Sequence, residues 1–305
     1  MPFIRGGNAE FLAPGLNRYT FNRLRERPSQ FARYTQVRTS TRAWEDTFEM
    51  SGFGPLAKKG ELAPTMLDEP LKLGGTRFIH DSFALGFLNS EEMQEDEQYN
   101  VIADLAGALG KSARITTELY GHDVLNNGFS AAKYVGRDGK SLFALDHPLR
   151  GTGGTYANRP TVAVDLSEAA LEAGIASFDN MVDDRGITTE IRPSILLVTP
   201  GDRMLAKRLL QSAGMPGTGF TAQPNDINPL ADEGITLMVS NWLTDPDAWF
   251  LLAPASESPL IFWWRKQPDT KTWDDDNADG TYHKIKQRHS VGFDDWRGAY
   301  GSPGA

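Results

Sequence analysis

The chain has no cysteine among its 305 residues. Disulfide scaffolds, thiolate zinc sites, iron–sulfur clusters and cysteine nucleophiles are excluded by that absence alone. It also lacks any apolar run near the roughly 20 residues that span a bilayer. The opening Met1-Pro2-Phe3-Ile4-Arg5 has no uninterrupted apolar segment of the kind found in a secretory signal. Histidine is scarce: His80, His122, His147, His283 and His289 are all there is, and none stands at a metal-ligand spacing such as His-Glu-x-x-His. A solvated or hydrogen-bonded structural role is the expectation for each. No repeat with the roughly 20–50-residue period of a solenoid or propeller is visible, and there is no Gly-x-Ser-x-Gly nucleophile elbow.

What is present belongs to a globular, core-forming chain, with 40% hydrophobic, 10% aromatic and 23% charged residues. The length fits one large domain or two smaller ones. The net charge of −9 is unevenly spread. Residues 1–42 hold eight arginines against Glu10 and Glu26, a balance of +6, so the remaining 263 residues carry −15. A basic arm on an acidic body can strap a neighbouring copy or bind nucleic acid. Because Tyr19, Phe21, Phe31, Tyr34 and Trp44 interleave with the arginines, contact with a neighbour is the preferred reading, through Arg18, Arg23, Arg25 and Arg27, beside the plainer one of an ordinary charged N-terminal helix.

Three stretches imitate chemical motifs. Leu105-Ala106-Gly107-Ala108-Leu109-Gly110-Lys111-Ser112 nearly matches a phosphate-binding loop, but Leu105 stands where the first glycine must be, and the segment reads as mid-helix. Asp275-Asp276-Asn277-Ala278-Asp279-Gly280 matches half of a calcium loop, but Lys286 replaces the closing glutamate, so a solvated acidic turn is expected. Asp183, Asp184 and Glu190 could serve an enzyme assembled from scattered acids, with only the abundance of carboxylates behind it. No catalytic residue, cofactor or metal site is expected.

Along the chain, residues 1–43 lack a sustained apolar period and read as an extended arm with short helical pieces. Residues 44–85 read as a long two-stranded excursion, with Gly52, Gly54, Pro55, Gly60 and Pro64 near its tip. Ser90 to Tyr120 reads as one helix. Ser90 is its N-cap, Glu91, Glu92, Glu95, Asp96 and Glu97 complement the helix dipole, Val101, Leu105, Ala108, Ser112, Ile115 and Leu119 form the buried stripe, and Gly121 terminates it. At about 1.5 Å per residue it would be about 46 Å long. From residue 161 the pattern is α/β. A helix capped by Ser167 buries Leu171, Ile175, Phe178 and Val182. Ile195–Val198 is a buried strand, Asp202 opens a helix, and a Gly/Pro-rich loop follows from Gly214 to Pro229. Strands are expected at Ile235–Val239, Trp249–Leu252, Leu260–Trp264 and Tyr282–Phe293. The tail Gly298-Ala299-Tyr300-Gly301-Ser302-Pro303 reads as a loose end.

This order of parts resembles the major capsid proteins of tailed phages that share the Hong Kong 97-type fold, closest in flavour to the head subunits of Mu-like phages. The likeness is also local: Phe48-Glu49-Met50-Ser51-Gly52-Phe53-Gly54-Pro55-Leu56 with Lys58-Lys59-Gly60-Glu61, Leu197-Val198-Thr199-Pro200-Gly201-Asp202-Arg203, and His289-Ser290-Val291-Gly292-Phe293-Asp294-Asp295-Trp296-Arg297-Gly298. The resemblance implies an α+β subunit with an N-terminal arm (1–43), an extended loop (44–85), a peripheral domain with a spine helix at 90–120 (86–160), an axial α/β domain (161–258), and closing peripheral strands with a tail (259–305). It implies no catalysis, and self-assembly into hexamers and pentamers of an icosahedral shell around double-stranded DNA, which the subunit touches non-specifically. The implied partners are a separate scaffolding protein, a portal and a decoration protein, with no membrane. The implied location is the virion, with assembly in the host cytoplasm. Phe53, Leu56 and Leu62 are then expected to be buried against a neighbour. Lys58 and Lys59 sit where some members crosslink to a neighbour's asparagine, though no matching asparagine motif is present. The alternative is an encapsulin-like nanocompartment shell that packages protein cargo.

Overall fold

Two four-stranded sheets organise the chain, whose structure, a computed structural model, describes residues 8–62, 64–96, 101–212, 228–275 and 279–305. The first part supplies α1 (Asn8–Leu24), β1 (Gln36–Thr39), β2 (Trp44–Asp46), β3 (Glu49–Met50), β4 (Lys72–Gly74), β5 (Arg77–Ile79) and β6 (Asp81–Ser90). The middle supplies α2 (Glu91–Glu95), α3 (Val101–Asn126), β7 (His147–Pro148), β8 (Thr155–Tyr156) and α4 (Glu168–Asp179). The last part supplies β9 (Ile195–Val198), α5 (Arg203–Gln211), β10 (Thr236–Val239), β11 (Trp249–Leu252), β12 (Leu260–Asp275), β13 (Gly280–Phe293) and β14 (Ala299–Ser302).

The first sheet runs β1-β12-β13-β6, with β1 parallel to β12 and the other pairs antiparallel. On β13, Thr281, His283, Ile285, Gln287 and His289 are buried, at the two-residue period of a half-covered strand, and helices α1 and α3 pack against this sheet. The second sheet runs β10-β9-β11-β14. Strands β9 and β11 are buried throughout, which their unbroken apolar sequences require of central strands covered on both faces. Helix α4, capped by the Ser167 hydroxyl accepting from the Ala170 N–H at 3.3 Å, buries Leu171 and Phe178 on this sheet's side. One apolar cluster joins the sheets. Val124 and Leu125 at the end of α3 meet Phe31, Tyr34, Phe143, Leu197, Phe250, Phe262 and Phe293.

Several expectations need correction. The arm is not extended, because residues 8–24 form α1 and residues 36–39 enter the first sheet. The stripe of α1 was hidden because Thr20 is its middle member. Thr20 is fully buried, its hydroxyl 2.9 Å from the Leu16 carbonyl, 3.0 Å from that of Ala106 and 3.2 Å from His283 Nε2. The helix expected over 90–120 is two helices. Ser90 does cap, accepting from Met93 N–H at 3.2 Å, but the helix it opens ends at Glu95. The spine itself is α3, about 39 Å long at ~1.5 Å per residue, and it runs past Gly121. Glycine is needed there because a Cβ would lie 2.4 Å from the Phe31 ring.

The buried face of α3 is also one step round from the expected stripe. It carries Ile102, Ala106, Leu109, Gly110, Ala113 and Thr117, whereas Leu105 is 40% exposed and Val101 and Leu119 are exposed like it. Small residues are inside because α1 lies so close: a Cβ on Gly110 would fall 2.0 Å from the Thr20 carbonyl oxygen. Val182 lies beyond α4, bridged to Thr188. Residues 81–85, assigned to the loop, belong to β6. The tail, read as a loose end, is β14, buried beside β11, with the Ser302 hydroxyl donating to the Val164 carbonyl at 2.7 Å. Most of the 214–229 loop and residues 276–278 of the acidic turn lie outside the described residues.

All five histidines are buried. His289 has no hydrogen-bond partner on either ring nitrogen. Its ring stacks on Phe83 (4.5 Å) and Phe262 (5.0 Å) and meets Tyr120 and Trp264 edge-on. Burial, with His80 nearby, pulls its pKa down to about 4, and burial does the same to His122. The imidazole of His122, 3.8 Å from the Glu118 carboxylate, is therefore neutral near pH 7 and forms no ion pair. A folded-state pKa below the unfolded value of about 6.5 means that the unfolded chain binds more protons below that pH. Stability is then lost as pH falls from about 6.5 towards 4, by at most about 3 kcal/mol per ring. His289→Phe keeps the aromatic packing and removes two unpaired buried nitrogens. It is expected to unfold in urea at the same or a higher concentration at pH 7, and to lose less stability than the wild type between pH 7 and pH 4.5.

Candidate inter-subunit interface

The excursion between β1 and β6 has a stem of two short antiparallel ladders, β2 with β5 and β3 with β4. Arg77 locks the first with a two-pronged contact to Asp46, Nε–Oδ1 2.7 Å and a second guanidinium nitrogen to Oδ2 at 2.9 Å, while it lies 5.5 Å over the Trp44 ring. This hydrogen-bonded cation holds the Asp46 carboxyl below its ordinary pKa. Residues 51–60 and 64–71 have no regular structure.

Three arginines from elsewhere in the fold hold the root of the loop, Arg137 and Arg185 by direct contact and Arg297 through the acids it shares with Arg137, supplying an intramolecular partner that the sequence did not reveal. Buried Arg137 contacts the Glu49 carboxylate of β3, lies 2.7 Å from Asp295, and has Asp184 and Asp294 at 3.9 and 4.0 Å. Arg297, equally buried, adds contacts to Asp295 at 3.0 Å and Asp184 at 3.4 Å, and donates to the Val182 carbonyl at 2.8 Å. Arg185, from the turn after α4, reaches Asp68 at 2.6 Å, the Glu69 carbonyl at 2.5 Å and the Ser51 hydroxyl at 3.1 Å. The Gly54 N–H and this guanidinium keep the Asp68 carboxyl below the usual range. A cleft of about 650 Å³ opens between the root and the body. Arg137 and Arg297 pair with acids of its wall, and among the described residues no group of three or more His, Asp or Glu is placed to hold a metal.

Beyond this polar root the loop exposes apolar side chains. Leu56 and Leu62 are 100% accessible, Leu67 90%, Met66 76% and Phe53 67%. Lys58 and Lys59 lie exposed in the same stretch. Phe53, Leu56, Lys58 and Lys59 thus share one projecting segment, and Met66 and Leu67 join them. The latter two were missed because they follow the glycine- and proline-rich tip and show no period. Arg18, Arg23, Arg25 and Arg27 are all exposed, but on α1 and the bend after it. Arg23 pairs with Glu26 at 3.4 Å, and Arg25 lies 5.8 Å over the Phe21 ring. Asp183 and Asp184, weighed as enzymatic acids, are hydrogen-bonded within this root.

The pattern of the phage capsid protein family matches residues 78–302, about three-quarters of the chain. The chain belongs to that family. No curated protein sequence matches this capsid protein, but solved shells do by fold. The procapsid subunit of bacteriophage JBD30 superposes with a TM-score of 0.53 at 18% identity, covering 98% of this chain and 76% of that one. The capsid subunit of cyanophage P-SCSP1u gives 0.58 at 12% identity, covering 90% and 87%. A virus-like particle from Pyrococcus furiosus gives 0.56 at 8% identity, covering 95% and 98%. The fold is the Hong Kong 97 type, and the role that of a major capsid protein; nothing in these matches singles out Mu-like heads.

Removing Arg137 leaves buried carboxylates short of a partner, which typically costs about 3–5 kcal/mol. Arg137→Ala is expected to lower the melting temperature of the capsid protein sharply. Glu49→Gln removes only the half-exposed loop partner. It is expected to change stability by less than about 1 kcal/mol while making residues 51–71 several-fold easier to cut by limited proteolysis.

Proposed function

We propose that the capsid protein closes an icosahedral shell of hexamers and pentamers around double-stranded DNA, each extended loop docking on the neighbouring subunit through Phe53, Leu56, Leu62, Met66 and Leu67. One observation carries this reading: five large apolar side chains stand in solvent on a segment whose root is held by buried arginines. Contiguous exposed apolar surface on an ordered stem is the mark of a contact surface, and burying each such side chain is worth about 1.5–3 kcal/mol. Repeated around a closed ring, that is enough to drive association without any covalent link. Lys58 and Lys59 would border the contact.

The chain assembles with itself as a structural component of the virion. In this reading assembly takes place in the host cytoplasm on a separate scaffolding protein, with a portal at one vertex and decoration protein outside. We assign the arm to 1–43, the loop to 44–85, the peripheral domain to 86–160 and 259–305, and the axial domain to 161–258. Strand β6 extends the peripheral sheet back to Asp81, and β14 returns the chain's end to the axial sheet. The second reading, a nanocompartment loaded with protein cargo, draws on the fold shared with the Pyrococcus furiosus particle. Particles purified from infected or lysogenic cells decide between the two, since one contains genomic DNA and the other enzyme.

The loop contact is tested on the purified chain by negative-stain microscopy and sedimentation. Wild type is expected to form shells, tubes or capsomer rings. Leu56→Asp combined with Leu67→Asp is expected to remain folded, because both side chains are solvent-exposed in the subunit, but to stay at small oligomers. Normal particles from the double variant would refute the docking role.

A further inference from the structure

The close contact of α1 with α3 aligns cations from two distant parts of the sequence. With the Thr20 carbonyl seated in the notch at Gly110, the flanks of the two helices bound one open groove of about 500 Å³. Arg23 and Arg27 stand on one wall, Lys111 and Arg114 on the other. Lys111 and Arg114 are one turn apart on α3, so they face the same way. Two acids share the groove: Glu26, paired with Arg23 at 3.4 Å, and Asp104. Among the described residues Arg27 and Lys111 have no ion pair, and Arg114 Nε is buried without a hydrogen-bond partner. Four cations against two acids reverse, locally, the sign of a body that carries −15 outside its arm.

We propose that this groove binds the phosphodiester backbone of duplex DNA. The lining decides between a nucleic acid and an acidic protein. Protein partners are held mainly by large apolar or aromatic anchors in fitted pockets, whereas this groove offers Ala103, Gly107 and Ala108 with Tyr19 as its one aromatic. A DNA backbone needs only cations and releases its counterions to them. The segment 105–112 that imitates a nucleotide loop thereby finds a different use. Its backbone N–H groups lie inside a helix and cannot wrap phosphate, but Gly107 floors the groove and Lys111 lines it. Contact would be independent of base sequence, since phosphates carry none.

The proposal rests on the shell reading and fails separately from it. The full-length chain is titrated against a labelled 30-base-pair duplex of mixed sequence by fluorescence anisotropy at several salt concentrations. Four phosphate contacts predict a log–log salt slope of about −3 to −4. Lys111→Ala and Arg27→Ala, both at exposed positions, are each expected to weaken binding about three- to tenfold and to flatten the slope by about one. Lys207→Ala, an exposed cation on α5, should change neither. Groove variants that bind like wild type, or a Lys207→Ala loss as large as theirs, would overturn the groove. Displacement of DNA by polyglutamate at equal charge concentration would overturn the phosphodiester assignment in favour of an acidic protein. If the groove variants form normal particles but bind DNA unchanged, only this proposal falls. If the wild type forms no particle at all, the shell reading falls instead.

Discussion

The structure depends on one apolar joint between its two sheets. The end of α3 drives Val124 and Leu125 into a cluster with Phe31 from the arm, Phe143 from the loop after α3, Phe250 from β11, and Phe262 and Phe293 from β12 and β13. The arm, α3 and both sheets each leave a side chain there, including Ala299 of the final strand. Interiors this densely packed transmit displacement instead of absorbing it. The two sheets therefore behave as one plate, and what projects from the plate can take load at a subunit contact without deforming it.

The projecting loop is built on the opposite principle. Its root is polar and partly buried, with Arg137 and Arg297 holding four carboxylates, while its outer stretch is apolar and fully in water. A buried ion network adds little net stability compared with a well-packed apolar core, but its geometry is exacting. That suits an element whose direction matters more than its own stability. The arginines aim the stem, and the leucines beyond it have no partner within the subunit.

How much of this was legible depended on where burial could be read from residue type. Strands β9 and β11 were, because a short unbroken apolar run such as Ile195–Val198, stopped by Thr199-Pro200-Gly201, reads as a doubly covered strand. Helix α4 was, through Ser167 and its apolar face. The face of α3 was misread because the large residues Val101, Leu105 and Leu119 are outside, and the small ones, Ala106, Gly110 and Ala113, are inside against α1. Period detection weighs bulk, whereas a tight helix pair selects for its lack. The tail was misread for the same reason. Gly301 in β14 fits under Phe250 and Phe143, where a Cβ would come within 2.7 Å of the former. In the loop, Phe53 and Leu56 were recognisable from local text, but the root was not, because Glu49, Arg137, Asp184 and Asp294 are brought together only by the complete fold.

The arm shows how a charge pattern changes meaning once it is placed. As sequence, +6 ahead of −15 suggests a free strap reaching for another subunit's acidic surface. In the structure that segment is occupied at home: Leu16 and Thr20 are buried against α3, Phe31 fills the space beside Gly121, and β1 closes an edge of the first sheet. Its buried apolar side chains are committed to its own subunit, and its described arginines remain outside. Exposed guanidinium groups on a rigid helix cannot follow a neighbour's contours as a flexible strap would, but they form a fixed positive surface whose field persists over about a Debye length, ~8 Å at physiological salt. A fixed surface of that kind suits a partner that presents uniform negative charge at every position along its length.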